Sequence, residues 1–177
     1  MNNLIIKNIF RFIVLIFFQI SILNNVYLGG YANPFIYILF ILMLPTNMNK
    51  IAMLLVSFAA GLSVDIFSCS LGFHSFAATL VAFARITFAD RILTKDKSEE
   101  IDTPSVKTIA FSTYIIFVMI LTFIYCFAYY SIEVFCMFDI FNVFIRSILS
   151  TCISSAFMIA CFISMLFYFF YPTEMIK

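Results

Sequence analysis

The sequence predicts an all-α, polytopic membrane protein: a six-helix transmembrane bundle whose second helix is short. Of the 177 residues, 64% are hydrophobic and 11% are charged, whereas soluble domains carry about 25% charged residues. The mean hydropathy is +1.12. A soluble domain with this composition would leave large apolar patches in water. We therefore predict one integral membrane domain over residues 1–177.

Six apolar runs separated by short polar breaks are the predicted helices: 6–24, 33–45, 50–67, 71–89, 108–130 and 143–171. A helix needs about 20 apolar residues to cross a hydrocarbon core of about 30 Å. The second run is too short, because Pro34 and Pro45 bound it. It is either a short, steep helix or a re-entrant element packed against protein. Six crossings is the preferred count, and five is the alternative.

The first run resembles a secretory signal peptide, because Lys7 and Arg11 precede an apolar stretch that begins at Phe12. No cleavage pattern of small residues follows this stretch. We therefore prefer a retained first helix to a cleaved signal.

The positions of lysine and arginine predict the orientation of the chain, since these residues concentrate on the cytoplasmic side. With six crossings and a cytoplasmic N-terminus, the predicted outer loops 25–32, 68–70 and 131–142 contain no basic residue. The basic residues on the cytoplasmic side are Lys7, Arg11, Lys50, Arg91, Lys95, Lys97, Lys107 and Lys177. Both termini and the charged loop 90–107 are thus predicted to be cytoplasmic. That loop is either a solvated connector or a docking site for a cytoplasmic partner.

Several functions are disfavoured by composition. A net charge of +1 without a clustered basic face excludes nucleic-acid binding. The five cysteines are odd in number and lack CxxC spacing, so we interpret them as packing residues. The single histidine, His74, has no recognised metal-ligand spacing and no convincing nucleophile pattern around it. We predict neither a metal nor another cofactor, and no enzymatic activity.

Four ionisable residues lie in or at the ends of apolar runs: Asp65, His74, Arg85 and Arg146. Such groups tend to face protein, a pore or a partner. Asp65, His74 and Arg146 should meet near the external interface, where Asp65 pairs with Arg146 or His74; alternatively, each reaches interfacial water. His74 and Arg85 are eleven residues apart, which places them on one helix face about 16 Å apart.

Small residues recur at four-residue spacing, a pattern that lets helices approach closely in lipid. They accompany the ionisable residues as Ser57, Gly61 and Asp65 in the third helix and as Arg146, Ser150 and Ser154 in the sixth. The third, fourth and sixth helices are therefore the predicted packed centre. Tyrosines near predicted helix ends are expected to replace tryptophan as interfacial anchors: Tyr27, Tyr31, Tyr37, Tyr129, Tyr130, Tyr168 and Tyr171.

The stretch from Ala59 to Arg85 resembles the MreD family of rod shape-determining membrane proteins. That family has a glycine four residues before an aspartate, a polar turn containing Leu-Gly, and a histidine opening a helix that ends near an arginine. The corresponding residues here are Gly61, Asp65, Leu71, Gly72, His74 and Arg85. Residues 24–45 are similar to MreD proteins of the Bacteroidetes type. Together with Arg146, the motif residues Gly61, Asp65, Gly72, His74 and Arg85 form the expected polar cluster, with a partner-binding or structural role.

This resemblance implies a non-enzymatic scaffold or regulator in the bacterial cytoplasmic (inner) membrane. MreD proteins bind the bitopic protein MreC and act with MreB, RodA and a class B penicillin-binding protein to guide side-wall peptidoglycan synthesis. The family fold is similar to the six-helix substrate-binding subunits of energy-coupling-factor vitamin transporters. A small-molecule transport subunit is therefore the second hypothesis, and it requires a ligand cavity near Asp65, His74 and Arg146. Membrane lipid is a further expected partner of the protein.

Overall fold

The computed structural model describes five parts of the chain: residues 2–25, 33–45, 48–93, 111–134 and 140–170. Within these parts all regular structure is helical, and no β-strand is present. The helices are α1 (Asn2–Ser21), α2 (Ile38–Leu42), α3 (Lys50–Ser68), α4 (Phe73–Leu93), α5 (Phe111–Glu133) and α6 (Ile140–Phe170). A single 3₁₀ turn, Leu23–Asn25, follows α1.

Helix bounds differ from the expected ones by a few residues, except in the second run. The fourth helix continues to Leu93, so the first residues of the predicted loop 90–107 are helical. The remainder of that loop lies outside the described residues. Asn49 defines the start of α3, because its side-chain oxygen accepts a hydrogen bond from the Ile51 N–H at 3.0 Å.

Three described helical stretches are long and apolar enough to cross a membrane: Lys50–Ser68, Tyr114–Glu133 and Ile140–Cys161. The apolar stretches Asn8–Ser21 and Phe73–Phe88 are shorter. Large apolar side chains face outward, as shown by Phe17 at 71% and Phe141 at 78% exposure, while Arg85 is 1% exposed. Soluble proteins have the opposite distribution. The long apolar helices and this outward apolar surface indicate a membrane-embedded protein.

The second run departs most from the predicted helix over 33–45. Only Ile38–Leu42 is helical, and residues 33–36 have no regular structure. Pro34 lacks an N–H and disfavours helical backbone at Asn33. Every side chain from Pro34 to Leu42 is buried. We call residues 33–45 the core segment, because they run through the interior of the bundle.

Non-helical backbone within a membrane is stable only where protein or enclosed water satisfies its polar groups. Helix α6 supplies two acceptors to the core segment. The Asn33 N–H donates to the Ser150 hydroxyl at 3.1 Å, and the Phe35 N–H donates to the Ser154 hydroxyl at 2.8 Å. The Tyr130 hydroxyl of α5 lies 2.6 Å from the Ser150 hydroxyl. The serines of the sixth helix therefore hold this segment.

Helices α1 and α4 satisfy other groups of the core segment. Gln19 of α1 uses both ends of its side-chain amide: Nε2 donates to the Pro34 carbonyl at 3.0 Å, and Oε1 accepts from the Ile36 N–H at 2.8 Å. The Arg85 guanidinium of α4 donates to the Leu44 carbonyl near the other end. Because Gln19 is 1% exposed, water does not replace its hydrogen bonds.

The helices pack around this segment in a simple order. Helices α3 and α4 form a closely packed antiparallel pair, α5 contacts both α4 and α6, and α1 contacts α3 and α2. The Phe12 ring of α1 meets the Phe40 ring of α2 edge-on, with centroids 5.1 Å apart. The packed centre thus includes α5 and the core segment in addition to the third, fourth and sixth helices expected from the small-residue pattern.

Two adjacent serines in α6 provide a matched test of this packing. Ser154→Ala leaves the buried Phe35 N–H without its acceptor, which costs about 1–3 kcal/mol. Ser155→Ala removes a hydroxyl that bonds the Cys152 carbonyl of its own helix and leaves no backbone N–H without an acceptor, so its expected cost is below about 1 kcal/mol. Thermal or denaturant unfolding of the purified protein in detergent measures the difference. Equal destabilisation by the two substitutions would contradict the assigned role of Ser154.

Candidate functional site

Asp65 caps the start of α4 from the last turn of α3. Its Oδ1 accepts hydrogen bonds from the His74 N–H at 3.1 Å and the Ser70 hydroxyl at 2.5 Å. Its Oδ2 accepts from the Ser75 N–H at 2.8 Å and from the Ser75 hydroxyl. The first N–H groups of a helix have no partner within the helix and favour a negative charge. Gly72 directly precedes the helix and has no side chain, so Asp65 performs the capping across the turn.

The structure explains why positions 61 and 72 are both occupied by glycine. A Cβ on Gly61 would lie 2.5 Å from both the His74 carbonyl oxygen and the Ser75 Cα, so only glycine lets α3 approach the start of α4 this closely. Gly72 has φ of 89°, which L-residues rarely adopt. Cys69 ends α3 in the left-handed conformation, with φ of 51°. This turn brings the Asp65 carboxylate to the N-terminus of α4.

His74 points into the bundle and begins a chain of buried side chains. Its Nδ1 lies 2.5 Å from the Tyr125 hydroxyl, which lies 2.7 Å from the Tyr37 hydroxyl. The Tyr129 ring packs on the imidazole with a centroid distance of 4.7 Å. The chain connects α4 with α5 and with Tyr37 of the core segment, and it explains why these aromatic residues lie in the interior.

Arg85 is buried at the opposite end of the core segment from Asn33. Its Nη2 donates to the Leu44 carbonyl, and Nη1 lies 2.9 Å from the Met53 sulfur. Among the described residues, Nε has no hydrogen-bond partner. Among the described side chains, no carboxylate lies within ion-pairing distance of this guanidinium. Arg85 therefore positions the end of the core segment through the Leu44 carbonyl.

Arg146 belongs to a different group of side chains from Asp65. Its Nη2 lies 3.6 Å from Glu133 Oε2, and its guanidinium lies 4.6 Å from the centre of the Tyr130 ring. Within the described residues, the expected ion pair between Asp65 and Arg146 is not formed, because donors at the start of α4 occupy both Asp65 oxygens. The expected contact between Asp65 and His74 exists, but it uses the His74 backbone N–H rather than the imidazole. Asp65 is buried rather than hydrated at the interface.

A cleft of about 340 Å³ opens at the end of the bundle where α3 ends and α4 begins. It is lined by Ile20, Leu23, Asn24, Asn33, Pro34, Phe35, Phe67, Ser68, His74 and Tyr129. Of the three residues expected around a ligand cavity, only His74 lines it. Asp65 and Arg146 do not.

The surroundings of His74 bear on catalysis. Its ring has one hydrogen-bond partner in the described part of the chain, the Tyr125 hydroxyl, and no described serine or cysteine lies within hydrogen-bond reach of the ring. A nucleophile would need such a contact with its base. No group of three or more described His, Cys, Asp or Glu side chains is arranged to hold a metal ion.

Some residues that build this site were not identified from sequence. Gln19 could have been identified, because it is the only polar residue between Phe12 and Ile20. Nothing in the sequence distinguishes Tyr125 from the other tyrosines. Three of the expected interfacial anchors, Tyr37, Tyr129 and Tyr130, are instead buried. Tyr37 belongs to the core segment, and the other two contact it. The other expected anchors lie outside the described residues: Tyr27, Tyr31, Tyr171 and the side chain of Tyr168.

Comparisons of the chain with family models, with curated proteins and with solved structures found no match.

Substitution of Asp65 tests its capping role. Asp65→Asn places an amide N–H₂ where backbone and hydroxyl donors converge, so we expect a loss of about 2–4 kcal/mol in the free energy of unfolding. Glu133→Gln weakens a partly exposed pair separated by 3.6 Å and is expected to cost under about 1 kcal/mol. Denaturant unfolding in detergent measures both. A loss for Asp65→Asn no larger than that for Glu133→Gln would disprove the capping role.

Proposed function

We propose that the protein is a non-enzymatic scaffold or regulator of the bacterial elongation machinery, which binds an MreC-like bitopic protein and helps to maintain rod shape by guiding side-wall peptidoglycan synthesis. The observation that carries the proposal is the use of the motif residues. Gly61, Asp65 and Gly72 set the α3–α4 turn, and His74 and Arg85 link α4 to the interior. The residues that resemble the MreD motif thus have an architectural use here, as a scaffold requires.

The proposal includes an orientation in the membrane and a set of indirect protein partners. The chain crosses the cytoplasmic membrane six times, counting the core segment as one crossing, and has both termini in the cytoplasm. The arrangement of basic residues along the sequence supports this orientation. MreB, RodA and a class B penicillin-binding protein are the expected indirect partners.

Burial of the polar residues limits where a partner can contact the protein. His74 and Arg85 of α4 and most of the core segment are buried, so they offer no surface to another transmembrane helix. Arg146 is the charged member of the predicted cluster that reaches the surface, with 22% of its side chain exposed beside Glu133 at 34%. We therefore place a contact with the MreC-like protein at the Arg146–Glu133 pair.

Co-purification tests this function. The full-length protein is co-expressed with the MreC-like protein of the same organism and purified through a tag. Arg146→Ala is expected to lower the yield of the complex and to round the cells, because it removes the exposed cation of the proposed contact. Cys152→Ala, an exposed position on the same helix, is the control and should leave both unchanged.

Thermal unfolding in detergent separates a lost contact from a lost fold. Asp65→Ala is expected to lower complex yield and stability together, whereas Arg146→Ala lowers yield with near wild-type stability. Wild-type yield and cell shape for a well-folded Arg146→Ala protein would refute the proposed contact, and failure of the wild-type protein to capture the MreC-like protein would refute the scaffold function.

A small-molecule transport subunit is the second candidate. The size of the cleft supports it, but of the three residues expected around a ligand only His74 lines the cleft. Its volume of about 340 Å³ falls within the usual range for small-molecule sites, about 300–1,000 Å³. A transport subunit requires an energising partner and supports ATP-dependent uptake. For a scaffold, we instead expect the gene of an MreC-like protein next to the gene of this protein. Deletion of the scaffold gene should make the cells lose their rod shape.

A further inference from the structure

The cleft beside His74 contains polar groups that the fold itself does not use. The Tyr129 hydroxyl has no hydrogen-bond partner within the described part of the chain, unlike the hydroxyls of Tyr37, Tyr125 and Tyr130. The imidazole of His74 uses Nδ1 for Tyr125, which leaves Nε2. Asn33 bonds through its backbone N–H, and its side-chain amide has no partner among the described residues. The three residues that carry these groups, Asn33, His74 and Tyr129, all line one cleft.

The walls of the cleft are aromatic and held in place. The Phe35 ring lies with its centroid 5.6 Å from that of His74 and 5.1 Å from that of Tyr129. Asp65 fixes the backbone at His74, and Tyr125 fixes its ring. Such a wall favours planar molecules, which stack on or meet the edges of aromatic rings. Binding to a site that is already ordered avoids much of the entropic cost of ordering it.

The charge of the cleft limits the class of ligand. None of the ten described residues that line it is an aspartate, glutamate, lysine or arginine. The nearby Asp65 has both carboxylate oxygens engaged by the start of α4. An ion entering the cleft would lose hydration without gaining an opposite charge, which is costly. An uncharged molecule avoids this cost.

We propose that this cleft binds a small, uncharged, planar molecule carrying an amide-like pair of donor and acceptor groups. The Asn33 amide and the Tyr129 hydroxyl each donate and accept, and His74 Nε2 supplies a third contact. The aromatic wall receives the ring of the ligand. This inference does not depend on the scaffold function, because it concerns groups that neither the motif nor the Arg146–Glu133 pair uses.

Paired probes test the proposal on the full-length protein in lipid nanodiscs. Saturation-transfer NMR titrations compare nicotinamide with nicotinate, and uracil with its carboxylate derivative orotate. We expect saturable binding of at least one neutral probe and binding of its anionic counterpart weaker by about tenfold or more. Tyr129→Phe should weaken the neutral probe by roughly tenfold, as expected for one lost hydrogen bond of about 1.4 kcal/mol.

Control variants keep the result interpretable. Tyr114→Phe makes the same chemical change on α5 away from the cleft and should leave affinity unchanged. Tyr129→Phe should unfold at the wild-type temperature, because its hydroxyl makes no hydrogen bond in the described structure. If that variant does not fold, Asn33→Ala, which keeps the backbone N–H, replaces it and should weaken binding similarly.

Three results would overturn the proposal. The first is no saturable binding of either neutral probe, and the second is equal binding of the neutral and anionic probes. The third is unchanged affinity in Tyr129→Phe or, if that variant does not fold, in Asn33→Ala. Each leaves the scaffold function to its own test, because MreC-like capture is measured separately.

Discussion

The fold depends on satisfying the backbone of a non-helical segment inside a membrane protein. A regular helix satisfies its own N–H and C=O groups, but residues 33–36 cannot, because Pro34 interrupts the pattern. The missing partners come from Gln19 of α1 and from Ser150 and Ser154 of α6. Arg85 of α4 bonds the Leu44 carbonyl further along the segment. An unsatisfied buried backbone group costs about 1–3 kcal/mol, so the core segment and the surrounding helices must form together.

The α3–α4 turn is linked to the core segment through a chain of hydrogen-bonded side chains. Tyr37 belongs to the core segment, and its hydroxyl reaches Tyr125, which contacts His74. Asp65 holds the backbone of His74, and Gly61 permits the close approach of the two helices. The motif and the core segment are therefore parts of one hydrogen-bonded interior. One end of this interior opens into the cleft that His74 and Tyr129 line.

Sequence reasoning predicted a helical membrane protein because that conclusion depends on composition and run length, which no tertiary contact changes. It also identified Asp65, His74 and Arg85 as unusual, since ionisable groups in apolar runs need partners. It could not predict those partners. The expected pair between Asp65 and Arg146 followed from opposite charge at one membrane level, but the structure uses Asp65 as a helix cap because backbone donors lie nearer. Serine in an apolar helix gives no sign of whether it bonds its own helix, as Ser155 does, or another segment, as Ser154 does.

Hydrogen–deuterium exchange of the protein in lipid nanodiscs tests the role of the core segment most directly. The peptide covering residues 33–45 should exchange as slowly as the centre of α5. Side chains accept from the first amides of this segment, and backbone carbonyls accept from Leu39, Phe40, Met43 and Leu44. Gln19→Leu keeps the bulk of the side chain but removes its hydrogen bonds to Pro34, Ile36 and Tyr37, and it should speed exchange in that peptide before any other. Rapid exchange of residues 33–45 in the wild-type protein, or no effect of Gln19→Leu, would contradict this account.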